Sequence, residues 1–265
     1  MFLTPTAMAA YGLITIGGSL AAAAKGGITM PFLYTGMGRV GKTTGAHQIA
    51  MNFGEDHSDP DPTDDPSEKL RMEVSLPGTA YPKVHFTTID IPGENPEYHI
   101  PRTIMNVWPR LFMPMVDVNT WKDTMNTRVL KMAARTLTSS RYRLKTNALG
   151  SFPAPTSVAC FLPWRVWTGK GWVMKKVLSN YRCSQVVFCV NKIDLITDPK
   201  ERAELLMEIY DHYFDYLRPL RTRFWFRFIG TTMKGGMYVK WGDFGGKLRP
   251  LEDLFEELIR KAVKK

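Results

Sequence analysis

The feature that most constrains this 265-residue chain is the stretch Met30-Pro31-Phe32-Leu33-Tyr34-Thr35-Gly36-Met37-Gly38-Arg39-Val40-Gly41-Lys42-Thr43-Thr44. A short apolar run enters a glycine turn and leaves as a helix. Gly36, Gly41, Lys42 and Thr43 stand at the spacing G-x-x-x-x-G-K-[ST] of a phosphate-binding loop. Small residues let successive backbone N–H groups curl inward into an anion-binding concavity. A helix starting at Lys42 aims its positive dipole end at the same place. Lys42 supplies a compact charge for the terminal phosphates, and the Thr43 hydroxyl a ligand for magnesium. A glycine turn before a helix also serves as a mere tight connection, so the rest of the chain has to decide.

Length and composition suit one α/β domain with an insertion or appendage, since 265 residues, 44% hydrophobic, can bury a core without disulfides. The three cysteines, Cys160, Cys183 and Cys189, lack metal-ligand spacing and read as buried apolar residues in a reducing compartment. A net charge of +10 favours anionic partners such as RNA, the ribosome or acidic lipid. Against that balance, Glu55, Asp56, Asp59, Asp61, Asp64, Asp65 and Glu68 form a proline-rich acidic loop.

Residues 1–24 carry no charged side chain, and the apolar run from residue 7 to 24 ends at Lys25. That length just suffices for a bilayer crossing, although Ala and Gly dominate it. No positive region precedes it, which argues against a cleaved export signal. The open readings for residues 1–27 are a membrane anchor, a helix packed on the domain or on a partner, and an unstructured tail. If it spans, Lys25 and the basic residues after it place the remainder, 28–265, on the cytoplasmic side.

Downstream, apolar runs over 70–76 and 83–91 flank turn residues and predict a hairpin. The second run ends in Asp90-Ile91-Pro92-Gly93, a D-x-x-G in which Asp90 can hold magnesium through water and the Gly93 N–H can sense a terminal phosphate. Residues 94–155 look irregular, with helical stretches over 102–116 and 121–137, and are expected to form an insertion around 97–154. The next core strand is then 155–162, with 111–118 as the alternative. Trp164, Arg165, Trp167, Lys170, Trp172, Lys175 and Lys176 read first as a helix with buried tryptophans and solvated lysines, and second as a nucleic-acid or membrane patch.

Gln185–Val190 is a β-rich run that delivers Asn191-Lys192-Ile193-Asp194. In this N-K-x-D, one carboxylate, Asp194, can accept both N–H groups on the guanine edge, a pair that adenine lacks. Asn191 can bridge the base edge and the phosphate loop, and the Lys192 stem can lie over the ring. Asp198-Pro199 then signals a helix start, with Leu205, Leu206, Ile209, Tyr213, Phe214 and Leu217 as its buried stripe. A strand over 223–229 leads into Thr231-Thr232-Met233-Lys234. A glycine-rich loop follows, and Pro250 opens a last helix with Leu251, Leu254, Phe255, Leu258 and Ile259 on one face.

Taken in order, Gly36–Thr43, Asp90–Gly93, Asn191–Asp194 and Thr231–Lys234 resemble the motif set of Ras-like small GTPases, within the translation-factor-related (TRAFAC) class of P-loop GTPases. The resemblance covers roughly residues 28–265. It implies an α/β fold, a mostly parallel six-stranded sheet with helices on both faces, and GTP or GDP with Mg²⁺ at the carboxyl ends of the strands. It implies a molecular switch that hydrolyses GTP. Carried onto this chain, Gly36, Gly38, Arg39, Val40, Gly41, Lys42, Thr43 and Thr44 cradle the phosphates, and Gly93 contacts the γ-phosphate. Thr43 and Asp90 hold the metal, while Asn191, Lys192, Asp194, Thr232, Met233 and Lys234 surround the base.

Three departures stand out. The first-switch threonine has no unique match, Thr63 being the first candidate for metal and catalytic contact and Ser67 the second. Glu94 stands where the family often has a Gln or His that orients the attacking water, which implies slow hydrolysis without a partner's arginine. Thr-Thr-Met-Lys replaces the usual Ser-Ala-Lys. The leading functional expectation is a GTP-dependent switch with a protein effector or regulator, cytoplasmic and tethered to the cytoplasmic face of a membrane if residues 7–24 span it. The alternatives are a ribosome- or RNA-associated GTPase and a GTP-binding scaffold with little hydrolysis.

Overall fold

The computed structural model describes residues 27–52, 67–75, 83–91, 96–107, 109–139, 183 and 185–263. The apolar segment 1–26, the acidic loop up to residue 66, Gly93, Glu94, Thr63, the run 155–162, Cys160 and the Trp/Lys stretch 164–176 lie outside the described residues. Among the described residues no helix is long and apolar enough to cross a membrane.

One sheet organises the molecule. Its eight strands run in the order β2-β3-β1-β4-β5-β6-β7-β8. They are β1 (Gly27–Thr35), β2 (Ser67–Ser75), β3 (Lys83–Asp90), β4 (Leu111–Asp117), β5 (Gln185–Asn191), β6 (Trp225–Thr232), β7 (Met237–Lys240) and β8 (Arg249–Pro250). The five strands β3-β1-β4-β5-β6 are parallel, whereas β2, β7 and β8 join antiparallel at the two edges. The expected six-stranded, mostly parallel sheet is thus present as β2 to β6, extended by a short pair drawn from the glycine-rich region. The expected hairpin is the antiparallel β2–β3 pair.

The helices are α1 (Lys42–Asn52), α2 (Pro96–Val107), α3 (Thr124–Thr138), α4 (Pro199–Arg223) and α5 (Leu251–Val263). They cover both faces, because the central strands alternate which face each side chain serves. Leu33, Phe112, Val186, Phe188 and Phe228 enter one core with Ile100 and Ile104 of α2, Leu130 of α3 and Ile209 and Tyr213 of α4. Met30, Phe32, Tyr34, Met113, Cys189 and Ile229 enter the other with Ala46 of α1 and Leu254, Phe255 and Leu258 of α5. Burial pushes the thiols of Cys183 and Cys189 up to about 12, so both are neutral apolar residues at physiological pH.

The placement of the middle strand corrects the sequence expectation. The strand between β1 and β5 is Leu111–Asp117, the alternative reading, and it hydrogen-bonds to both neighbours, so no other segment can stand there. Residues 102–116 are therefore not one helix: α2 ends at Val107 and β4 follows. An insertion spanning 97–154 is likewise not what residues 96–139 form. They supply α2, a core strand and α3, with Asp123 capping α3 by accepting the Met125 N–H at 2.8 Å. The physical reason is burial: every residue of β4 is buried, so its apolar run needs no alternation.

The α4 prediction holds in outline. Asp198 accepts the Lys200 N–H at 2.7 Å as N-cap, and Leu206, Ile209, Tyr213 and Leu217 are buried. Leu205 is half-buried, and Phe214 is exposed.

Phe188 marks the tightest part of the first core. It is fully buried, stacked on Phe228 at 5.3 Å between ring centroids and set 5.3 Å from Tyr213. Phe188→Ala should lower unfolding stability by about 3–5 kcal/mol, the usual cost of truncating a buried aromatic. Chemical denaturation monitored by circular dichroism measures it, and a loss below about 1 kcal/mol would mean that this face is not close-packed.

Candidate functional site

The site is built where the parallel strands end. β1 stops at Thr35 and the loop Gly36–Gly41 turns the chain into α1. Gly36 (φ 149°) and Gly41 (φ 99°) lie in backbone conformations that side-chain-bearing residues rarely adopt. Each also sits where a Cβ has no room. At Gly36 it would lie 2.4 Å from the Met115 carbonyl oxygen of β4, and at Gly41 it would lie 2.2 Å from the Asn191 amide nitrogen. At Gly38 the opposite holds: a Cβ would meet nothing within 4 Å, so the crest of the loop faces open space. Arg39 adopts a left-handed conformation (φ 63°) beside it.

The helix ladder of α1 begins with Gly45 N–H donating to Gly41 C=O at 2.9 Å. The amides ahead of Gly45 are left to the loop, as at any helix start. Lys42 is buried, and its Nζ donates to the carbonyls of Gly36 at 3.1 Å and Met37 at 2.8 Å. The ammonium is therefore anchored across the loop. Thr43 follows half-buried. Asp90, the last residue of β3, pairs in register with Tyr34, so the backbone brings it level with the start of the loop. Ser67, the second candidate for the first-switch position, is the register partner of Asp90 on the other side.

Asn191, the last residue of β5, joins the pieces. Its amide nitrogen donates to Val40 C=O of the loop at 2.8 Å. Its amide oxygen accepts the Met233 N–H at 2.9 Å and the Thr231 hydroxyl at 3.1 Å. Strands β5 and β6 and the phosphate loop are thus fastened by one buried side chain. Met233 is buried with its sulfur near the place where a Cβ on Gly45 would sit, so it packs on α1. Lys234 is exposed.

Lys192 leaves β5 in a left-handed conformation (φ 65°), and Ile193–Leu195 form a 3₁₀ turn in which Ile193 is buried and Asp194 exposed. The Lys192 Nζ donates to Asp117 Oδ2 at 2.9 Å. Asp117 is a residue that sequence reasoning missed. It ends β4 beside Asn191, is nearly fully buried, and accepts the N–H groups of Asn119 at 2.8 Å and Thr120 at 3.0 Å through Oδ1. Burial works to raise its pKa, but the Lys192 ammonium and the two amides outweigh that and hold it below the usual carboxylate range. The signal for it, an Asp at the end of an apolar run, becomes readable only once Leu111–Asp117 is recognised as a strand.

A nucleotide triphosphate fits the described half of this rim. Two glycines with no room for a Cβ at Gly36 and Gly41, an open crest at Gly38, a helix start behind it and an anchored ammonium are the features a phosphate cradle would need. The Thr43 hydroxyl and the Asp90 carboxylate carry hard oxygens, the ligand type magnesium takes. The described residues contain no cluster of three or more His, Cys, Asp or Glu that could hold a metal ion.

No family model matches the chain, and no curated protein matches it. Among solved structures it is similar to the crystal structure of bacterial selenocysteine-specific elongation factor EF-Sec, at 13% identity and a TM-score of 0.46, over 89% of this chain. The match covers 28% of that structure's chain.

The Asp117–Lys192 pair predicts a pH signature. A carboxyl depressed in the folded state stabilises the fold above its unfolded pKa of about 4, and that stabilisation is lost as pH falls through the folded value. Asp117→Asn should therefore cost about 1–3 kcal/mol at pH 7. The gap from the unsubstituted protein should close as pH falls below about 4. Urea unfolding across that range reads both. A pH-independent gap would assign the loss to packing rather than charge.

Proposed function

We propose that the chain binds GTP with Mg²⁺ and hydrolyses it to GDP and phosphate, acting as a switch with slow intrinsic turnover. The observation that carries this reading is Asn191: its amide holds the phosphate loop to the end of β5, three residues before Asp194. A base reader and a phosphate cradle are thereby kept at a constant separation.

Each described residue then has one task. The loop from Gly36 to Thr44 wraps the β- and γ-phosphates, with Lys42 as its fixed cation. Asp194 accepts the two N–H groups of the guanine edge, and Lys192, steered by Asp117, covers the ring. Thr232, Met233 and Lys234 close the base pocket from β6. Thr43 and Asp90, assisted by Thr63, would hold a magnesium ion, which would supply neutralisation of charge on the phosphates. Gly93 and Glu94 follow Asp90. Glu94, a carboxylate beside a polyanion, orients water poorly, which makes intrinsic hydrolysis slow and a partner's arginine useful. Release of the γ-phosphate would free the segments around Thr63 and Gly93 and so change what the protein binds. The uncharged run over residues 7–24 tethers this switch to the cytoplasmic face of a membrane.

The base claim has a sharp test. Asp194→Asn replaces one of the acceptors for the guanine N–H pair with a donor. It should weaken GTP binding by about 2 kcal/mol or more, roughly thirtyfold. The same change should improve binding of xanthosine triphosphate, whose ring carries an acceptor in place of the amino group. Calorimetric titration with GTP, ATP and xanthosine triphosphate, each with magnesium, measures this. ATP binding as tight as GTP would remove the reading, as would an unchanged GTP affinity in the Asp194 variant. Lys42→Ala should abolish triphosphate binding while leaving the fold intact by circular dichroism.

A further inference from the structure

At the far end of β6 from the proposed nucleotide rim, no described strand covers the sheet edge. β7 pairs with β6 only from Ile229 to Thr232. One more bond, Trp241 N–H to Phe228 C=O at 3.1 Å, closes that ladder, and the chain then turns away at Gly242 (φ 88°). Backbone groups on a strand alternate between its two edges. Since Phe228 faces outward, so do the N–H and C=O of Phe226, and no described strand pairs with that stretch. Phe224 N–H is already taken by Leu220 C=O at the end of α4.

A half-open groove of about 520 Å³ runs along this bare edge. Its rim carries three cations, Arg221, Arg227 and Lys240, and among the described residues the one carboxylate paired with them is Glu257, on Arg227. Arg221 is braced by a hydrogen bond to the Tyr210 hydroxyl, and Arg227 lies over the Trp225 ring at 4.1 Å while reaching Glu257 at 3.3 Å. Trp241, 43% exposed, forms an apolar wall.

We propose that this groove binds an extended acidic segment of a partner protein, which adds as a short strand to the outer edge of β6. Only a polypeptide backbone offers donors and acceptors at the spacing that Phe226 presents. Successive side chains of the added strand alternate between the two faces of the sheet, so apolar groups meet Trp241 on the Phe228 face and carboxylates meet Arg227 and Lys240 on the other. A single-stranded nucleic acid would find cations and aromatic faces here but would leave the strand edge unpaired. The site is independent of the nucleotide reading.

The test uses the full chain and a fluorescein-labelled peptide of alternating valine and acidic residues, followed by anisotropy. Binding should fall about tenfold or more between low and high salt. N-methylation on the alternate set of amides that faces β6 should cost about tenfold or more, while N-methylation on the opposite set should cost little. Arg221→Glu with Lys240→Glu should weaken binding by a similar factor. The peptide comparisons use the unsubstituted protein, so a variant that misfolds does not blunt the test. Failure of the acidic peptide to bind would overturn the proposal. So would equal binding of both N-methylated peptides, or tighter binding of a uridine oligomer or of phosphatidylglycerol vesicles at the same groove.

Discussion

The arrangement of the rim depends on the side-chain amide of Asn191. It has one donor end and one acceptor end, and both are used: the donor on Val40 C=O, the acceptor on Met233 N–H and the Thr231 hydroxyl. The Thr231 hydroxyl in turn lies 3.0 Å from the Cys189 sulfur, which extends the cluster back along β5. All of these groups are buried, where leaving one unpaired would cost its full desolvation. An aspartate in this place would lose the donor and set a charge against a carbonyl. A leucine would leave the Val40 C=O and the Met233 N–H without this partner. The loop glycine at position 41 belongs to the same contact, because it is the absence of its Cβ that lets the Asn191 nitrogen approach.

That junction is only as rigid as the strands that deliver it. β1, β4 and β5 are parallel and buried on both faces, and helices pack against each face. Their last residues, Thr35, Asp117 and Asn191, are therefore fixed by the core rather than by the loops that follow. Asp117 uses that fixity to hold Lys192, and Lys192 leaves the strand in a left-handed conformation that starts the turn to Asp194. An ion pair whose lysine is part-exposed contributes little net stability on its own. Its consequence is positional: it sets where the turn carrying Asp194 begins.

Much of this was legible in the residues. The glycine–lysine–threonine spacing located the loop, and Asn191–Asp194 stood out because a β-rich run leads into it. α4 and α5 announced themselves through a capping Asp198-Pro199 and a regular apolar stripe. β4 did not. Its run Leu-Phe-Met-Pro-Met-Val has no alternation, and a proline usually argues against a central strand. Pro114 is nevertheless in the ladder, paired in register with Thr35 at the end of β1. With the middle strand expected at 155–162, α2 and α3 read as an insertion and Asp117 as no part of a strand end. β7 and β8 were hidden for a different reason: four and two residues among glycines carry too little pattern to read. The side chain of Asp117, too, has meaning only through Lys192, 75 positions away in sequence.

Strand β6 links the two halves of the molecule's chemistry. One end, Thr231 to Met233, is held by Asn191 at the rim where the parallel strands end. The other, Trp225 to Phe228, forms the bare edge of the cationic groove. Phe226, unpaired on its outer edge, and Thr232 lie about 20 Å apart at strand rise. Between them Phe228 to Thr232 are buried, and β5 and β7 flank that stretch. A ligand at one end therefore does not exclude a ligand at the other by contact. The covered half of β6 needs β7 beside it, since an antiparallel neighbour completes its hydrogen bonds and fixes the turn into Met233. The uncovered half has no such neighbour within the described residues, and its cations lie along a strand edge whose other half is already paired. The boundary between the two halves is the single bond from Trp241 to Phe228, after which Gly242 takes the chain away from the sheet.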